Sequence, residues 1–81
     1  MYTIINKVYS SQQIDNKTVV TTILAKFRRY GIVRSICGSG KARCHPKDTF
    51  IYTAGVSLST VRAEKDLYNQ ILAIEEEDLL R

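Results

Sequence analysis

The chain changes period near its middle. Up to His45 the apolar residues recur mostly every second position; after Pro46 they recur every three or four. The clearest strand is Thr18–Phe27, which is rich in β-branched residues. On a two-residue period Val19, Ile23, Ala25 and Phe27 share one face. Val20, Thr22, Leu24, Lys26 and Arg28 share the other. Tyr2–Tyr9 is a weaker strand with Ile5 and Val8 as anchors. Polar Ser10–Lys17 reads as a loop, in which Asp15-Asn16-Lys17 suits a turn. Tyr30-Gly31 is a second turn, and Ile32–Cys37 the next strand. Gly38-Ser39-Gly40 reads as a kink, bulge or tight turn before a short strand at Lys41–His45. Pro46 ends it, because proline has no N–H for the ladder.

The remainder is helical, with Asp48 or Thr53 as candidate N-cap. Phe50, Ala54, Leu58, Val61, Tyr68, Leu72 and Leu79 fall on one narrow face, the one expected to pack on the sheet. A second face carries Val56, Ala63, Leu67, Ile71 and Ile74. A lone sheet covers one face only. A helix counted from Thr53 to Leu79 spans roughly 40 Å, against about 17–20 Å for a strand of ordinary length. The helix is therefore expected to outrun its sheet, with Leu67, Ile71 and Ile74 meeting another copy. The expected fold class is α+β: a three- or four-stranded antiparallel sheet on one long C-terminal helix. It forms a single domain, with a basic sheet over residues 1–47 and the helix over 48–81.

Charge sharpens this picture. The 81 residues carry a net charge of +4. Residues 1–65 hold 11 Lys/Arg against 3 Asp/Glu, and residues 66–81 hold Arg81 against five acids. A basic body with an acidic tail points to an anionic ligand on the body. Two cysteines, Cys37 and Cys44, and an N-terminus without a signal-like apolar run imply reduced thiols in the cytoplasm and no membrane span.

Catalytic and metal chemistry find little support. Gly38-Ser39-Gly40-Lys41 lacks the P-loop's leading glycine, since Ser35 stands there, and Ala42 replaces its Ser/Thr. Cys37, Cys44 and His45 offer three metal ligands without paired spacing. Neighbouring Cys44 and His45 would point to opposite strand faces, which also disfavours a Cys–His nucleophile pair. Asp15, Asp48 and Glu64 lie on separate elements, so no acid–base pair is expected. No catalytic residue, metal or cofactor is assigned. The basic residues are the positive signal: Arg28, Arg29, Arg34, Lys41, Arg43, Arg62 and Lys65 as phosphate ligands, with Tyr30 and Tyr52 as stacking partners.

Gly40-Lys41-Ala42-Arg43-Cys44-His45-Pro46-Lys47-Asp48-Thr49-Phe50, then Gly55, Leu58 and Arg62-Ala63, resembles a pattern in small phage and bacterial domains of unknown function. Some of those are described as double-stranded-RNA-binding-domain-like. The resemblance covers residues 32–65, departs at Ser59 where alanine is usual, and implies a β-β-β-α layout and a phage or prophage origin. Under it, Asp48 would accept backbone N–H groups at the turn into the helix, and Phe50 would plug the core. Gly55 would admit the helix to the sheet, and Arg62 would reach across the sheet edge. The sheet-plus-long-helix layout is also similar to phage anti-Thoeris proteins, oligomers that sequester cyclic nucleotide signals. The expected function is then a homo-oligomeric, non-catalytic counter-defence protein that sequesters an anionic nucleotide. The alternatives are a nucleic-acid-binding domain and an inhibitor of a host defence protein.

Overall fold

The computed structural model describes residues 2–79, side chains 78 and 79 excepted; residues 80 and 81, and the side chain of Leu79, lie outside it. Three strands, β1 (Thr3–Asp15), β2 (Thr18–Arg29) and β3 (Ile32–Arg43), precede one helix, α1 (Tyr52–Leu79). The sheet is antiparallel in the order β1-β2-β3, with α1 packed on one side. This is the expected α+β architecture.

From Val19 onward the central strand follows its alternation. Val19, Thr21, Ile23, Ala25, Phe27 and Arg29 are buried under α1, while the intervening residues from Val20 to Arg28 are half-buried or exposed. Two tight turns close the hairpins. The Asp15 carboxylate accepts the Lys17 N–H at 2.8 Å in the first. Tyr30 and Gly31 form the second, both left-handed, with φ of 52° and 75°. Two left-handed residues make the turn whose twist matches that of the flanking strands.

The structure corrects four expectations. Ser10–Asp15 is strand, not loop: its backbone pairs with Thr18–Thr22, and an edge strand that the helix barely covers needs no apolar alternation. The helix starts at Tyr52, so neither Asp48 nor Thr53 is its N-cap. β3 runs unbroken through Gly38-Ser39-Gly40. These glycines bring the helix close instead of bending the strand. A Cβ on Gly38 would sit 2.7 Å from the Ala63 carbonyl oxygen, and one on Gly40 would run into the Ser59 carbonyl and Ala63 nitrogen. Nor does the helix outrun the sheet. Its 28 residues and the 12-residue strands beneath it both span about 40 Å.

The same close approach inverts the expected helix faces. Gly38 and Gly40 let the helix backbone come down on β3, with Ser59 and Ala63 over Gly40 and Ala63 and Leu67 over Gly38. Leu67 and Ile71 follow on that face. They are fully buried with Ile23, Ala25 and Ala63, and Ile74 is half-buried beside them. These three residues, expected at an oligomer interface, therefore form the chain's own core. Leu58, Val61, Tyr68 and Leu72, expected on the sheet, are 37–65% exposed.

Ser59, the departure from the alanine pattern, is completely buried. Its hydroxyl meets Thr21 Oγ1 at 2.7 Å and donates to the Val56 carbonyl at 3.1 Å; Thr21 Oγ1 also meets Ser11 Oγ at 2.7 Å. Ser59→Ala should lower folding stability by about 1 kcal/mol, because Thr21 keeps a partner on β1. Urea unfolding measures it, and an unchanged midpoint would show that the buried hydroxyl contributes nothing.

Candidate anion-binding surface

One side of the sheet carries no helix. Register places Lys26 beside Asn6 and Ser35, Arg28 opposite Val33, Lys41 opposite Val20, and Arg43 opposite Thr18, all on that uncovered side. Lys26 and Arg28 occupy one end, Lys41 and Arg43 the other. Val20 and Lys26 are six residues apart on β2, so the two cation pairs lie about 20 Å apart. Between them run the rows Val8–Leu24–Cys37 and Ser10–Thr22–Ser39. One acidic residue borders this surface among the described residues, Asp15 at the first turn. The N–H of Lys17, and then the Thr18 hydroxyl, hold its carboxyl below the usual aspartate range. Whatever Asp15 adds to stability is thus full above the ordinary carboxylate pKa and is lost as pH falls through the lowered one.

The charge separates by layer. α1 carries Arg62 and Lys65 against Glu64, Asp66, Glu75, Glu76, Glu77 and Asp78. The strands carry one acid, Asp15, and seven basic residues. The basic body and acidic tail of the sequence are the two layers of the fold.

The predicted ligand residues do not converge. Arg28, Lys41 and Arg43 share the uncovered face. Arg29 lies on the opposite side, donates to the Ile74 carbonyl at 3.3 Å and stacks on the Tyr30 ring at 4.9 Å. Arg34 is exposed near it, on the helix side of β3. Tyr30 sits at the hairpin tip, 75% exposed, while Tyr52 opens the helix at the other end of the molecule. Lys65 points away from the sheet. Arg62 crosses the edge as expected and donates to the Lys41 carbonyl at 2.8 Å.

That contact belongs to a set. Asp66 accepts the Ser39 N–H at 2.9 Å, and Gln70 donates to the Cys37 carbonyl at 2.8 Å. Three helix side chains thus occupy three outward backbone groups of β3 between Cys37 and Lys41, which blunts that edge against strand addition. On the opposite flank Lys7 fastens β1 to the helix. It reaches the Tyr68 hydroxyl at 3.2 Å and Glu64 at 3.9 Å, and Tyr9 donates to Glu64 at 2.5 Å. Hydrogen bonding with Tyr9 and then Tyr68 holds the Lys7 ammonium above the ordinary lysine range.

Lys26 belongs to the surface and was absent from the candidate ligands. Its signal was present in the alternation that put it with Arg28. Of the pattern residues, Gly55 does admit the helix, since a Cβ there would lie 2.8 Å from Val19 Cγ2. Phe50 is half-buried at the end of the core. Asp48 contributes its carbonyl, which accepts from Lys17 Nζ at 2.9 Å. A cleft of about 210 Å³ lies here, lined by Lys17, Arg43, Cys44, Phe50 and Leu58 among others. Drug-sized ligands occupy roughly 300–1,000 Å³, so this cleft is small for a nucleotide. Cys37 and Cys44 are seven residues apart along an extended strand, too far to share a metal ion.

No described helix is long and apolar enough to cross a membrane. No known sequence family and no curated protein matches the chain. A solved structure does: the chain is similar to the crystal structure of Rv2632c, with a TM-score of 0.62 and 28% sequence identity over 98% of this chain and 84% of that one.

Proposed function

We propose that the chain is a non-catalytic binder of phosphate-bearing polymers, and that the uncovered sheet face is the contact surface. The observation that carries this reading is the placement of Lys26, Arg28, Lys41 and Arg43 in two pairs about 20 Å apart on one open face. A single nucleotide is too short to engage both pairs, whereas a nucleic acid presents phosphates continuously along that length. Sequestering a small nucleotide calls for cations converging on an enclosed pocket, and here they are spread out. Among the described residues the face offers no aromatic ring for stacking, which favours backbone contacts over base recognition. A role in phage counter-defence is compatible with either ligand and rests on the sequence resemblance alone.

Anisotropy titration of labelled duplex RNA and DNA across a salt series tests this proposal. Affinity should fall linearly on log–log axes, and each of Lys26→Gln, Arg28→Gln, Lys41→Gln and Arg43→Gln should reduce the slope by about one. A flat salt response, or tighter binding of mono- or cyclic nucleotides than of duplexes, would overturn it.

A further inference from the structure

The outer face of α1 carries a row of apolar residues that remain exposed. Ala54, Leu58, Val61, Lys65, Tyr68 and Leu72 are all exposed and follow one another at steps of four, three, four, three and four. Ile51, just before the helix, begins the series and is 59% exposed. This is the seven-residue repeat of a helix that lies along another helix. α1 is the one helix among the described residues, so a partner helix has to come from outside the chain.

We infer that this stripe is a seam for a second copy of the chain, lying antiparallel. Three observations select that occupant. The first is length: the repeat persists over three heptads, and an identical helix supplies a matching ridge along all of it. The second is charge. Lys65 lies within the stripe and Arg62 beside it, whereas the C-terminal end carries Glu75, Glu76 and Glu77. Antiparallel pairing centred near Val61 keeps the two acidic ends at opposite ends of the seam; parallel pairing would stack acid on acid. The third is area. Ile51, Leu58, Val61, Tyr68 and Leu72 are 37–65% exposed, on the order of 500 Å² per copy. Pairing would then bury roughly 1,000 Å², the level at which a specific interface forms. Both basic sheet faces would remain outermost, in a β-α-α-β sandwich.

The test is sedimentation equilibrium of the full chain and its variants, with far-UV circular dichroism as a check on the fold. The wild type should be a dimer. Val61→Glu and Leu72→Glu should each raise the dissociation constant about 100-fold or more with helix content unchanged, because each buries a charge in the seam. Leu24→Glu, on the uncovered sheet face, should leave the dimer intact. A wild-type monomer at high concentration, a dimer that survives Val61→Glu, or one lost on Leu24→Glu would overturn the inference.

Discussion

Gly40→Ala should remove most of the domain's stability. A methyl group there would meet the Ser59 carbonyl and the Ala63 backbone nitrogen. Both are helix backbone, so no side chain can swing aside. Relief requires α1 to lift from β3, which would loosen Ala63, Leu67 and Ile71 together. Overpacking of this kind costs about 3 kcal/mol or more. A chain of this length has a thin core, and its total stability lies near the lower end of roughly 5–15 kcal/mol. Gly31→Ala is the control. Nothing lies within 4 Å of its added Cβ, so the cost is that of a left-handed alanine, about 1 kcal/mol. Thermal unfolding of both variants measures the difference. A Gly40→Ala protein as stable as wild type would mean that the helix does not sit where the glycines place it.

The second large effect separates the two faces of α1. Leu67→Ala should destabilise by about 2–5 kcal/mol, because Leu67 is fully buried and its removal leaves a cavity under the helix. Leu72→Ala should preserve the folded chain, since Leu72 is 53% exposed. Its effect belongs to assembly. Urea unfolding at a concentration low enough to keep the chain monomeric distinguishes the two. Equal losses, or a larger loss at Leu72, would restore the opposite packing, in which Leu58, Val61, Tyr68 and Leu72 face the sheet.

That opposite packing is what helical periodicity alone favours, and it fails for a specific reason. Both stripes are apolar, and the one with larger side chains looks like the better core. The deciding residues are on another element. Gly38 and Gly40 take the helix backbone at Ser59, Ala63 and Leu67 against the strand, and that close approach selects the face that Leu67, Ile71 and Ile74 share. Reading the glycines as a break in β3 hid this close approach. β1 was obscured differently: as an edge strand under little of the helix, it is held by backbone pairing that leaves no mark on side-chain pattern. β2, buried on one side along its whole length, was legible throughout.

The surface was partly legible for the same reason. Alternation on β2 put Lys26 with Arg28, and Lys41 with Arg43 follows from the same rule on β3. Charge type alone joined Arg29, Arg34, Tyr30, Tyr52 and Lys65 to them, although the fold sends these to the hairpin tip, the helix start and the helix's outer side. Spacing within a strand carried the information; proximity in sequence did not. Arg28 and Arg29 are neighbours on opposite sides of the sheet.

The layered charge gives the two proposals a common logic. The heptad-bearing outer face of the helix layer suits self-pairing, and the basic sheet layer stays free for an anionic polymer. A dimer built on the seam would present two such faces in opposite directions. It would contact two segments of nucleic acid without sharing arginines between copies.

The most direct test of the sheet face compares two triple variants on one duplex. Lys26→Gln, Arg28→Gln and Lys41→Gln together neutralise three cations of the uncovered face, whereas Arg34→Gln, Lys47→Gln and Lys65→Gln remove the same charge from elsewhere. Loss of binding and of about three units of salt slope in the first variant, with near wild-type behaviour in the second, is the predicted result. Equal loss in both would show that net charge, and not this face, holds the ligand.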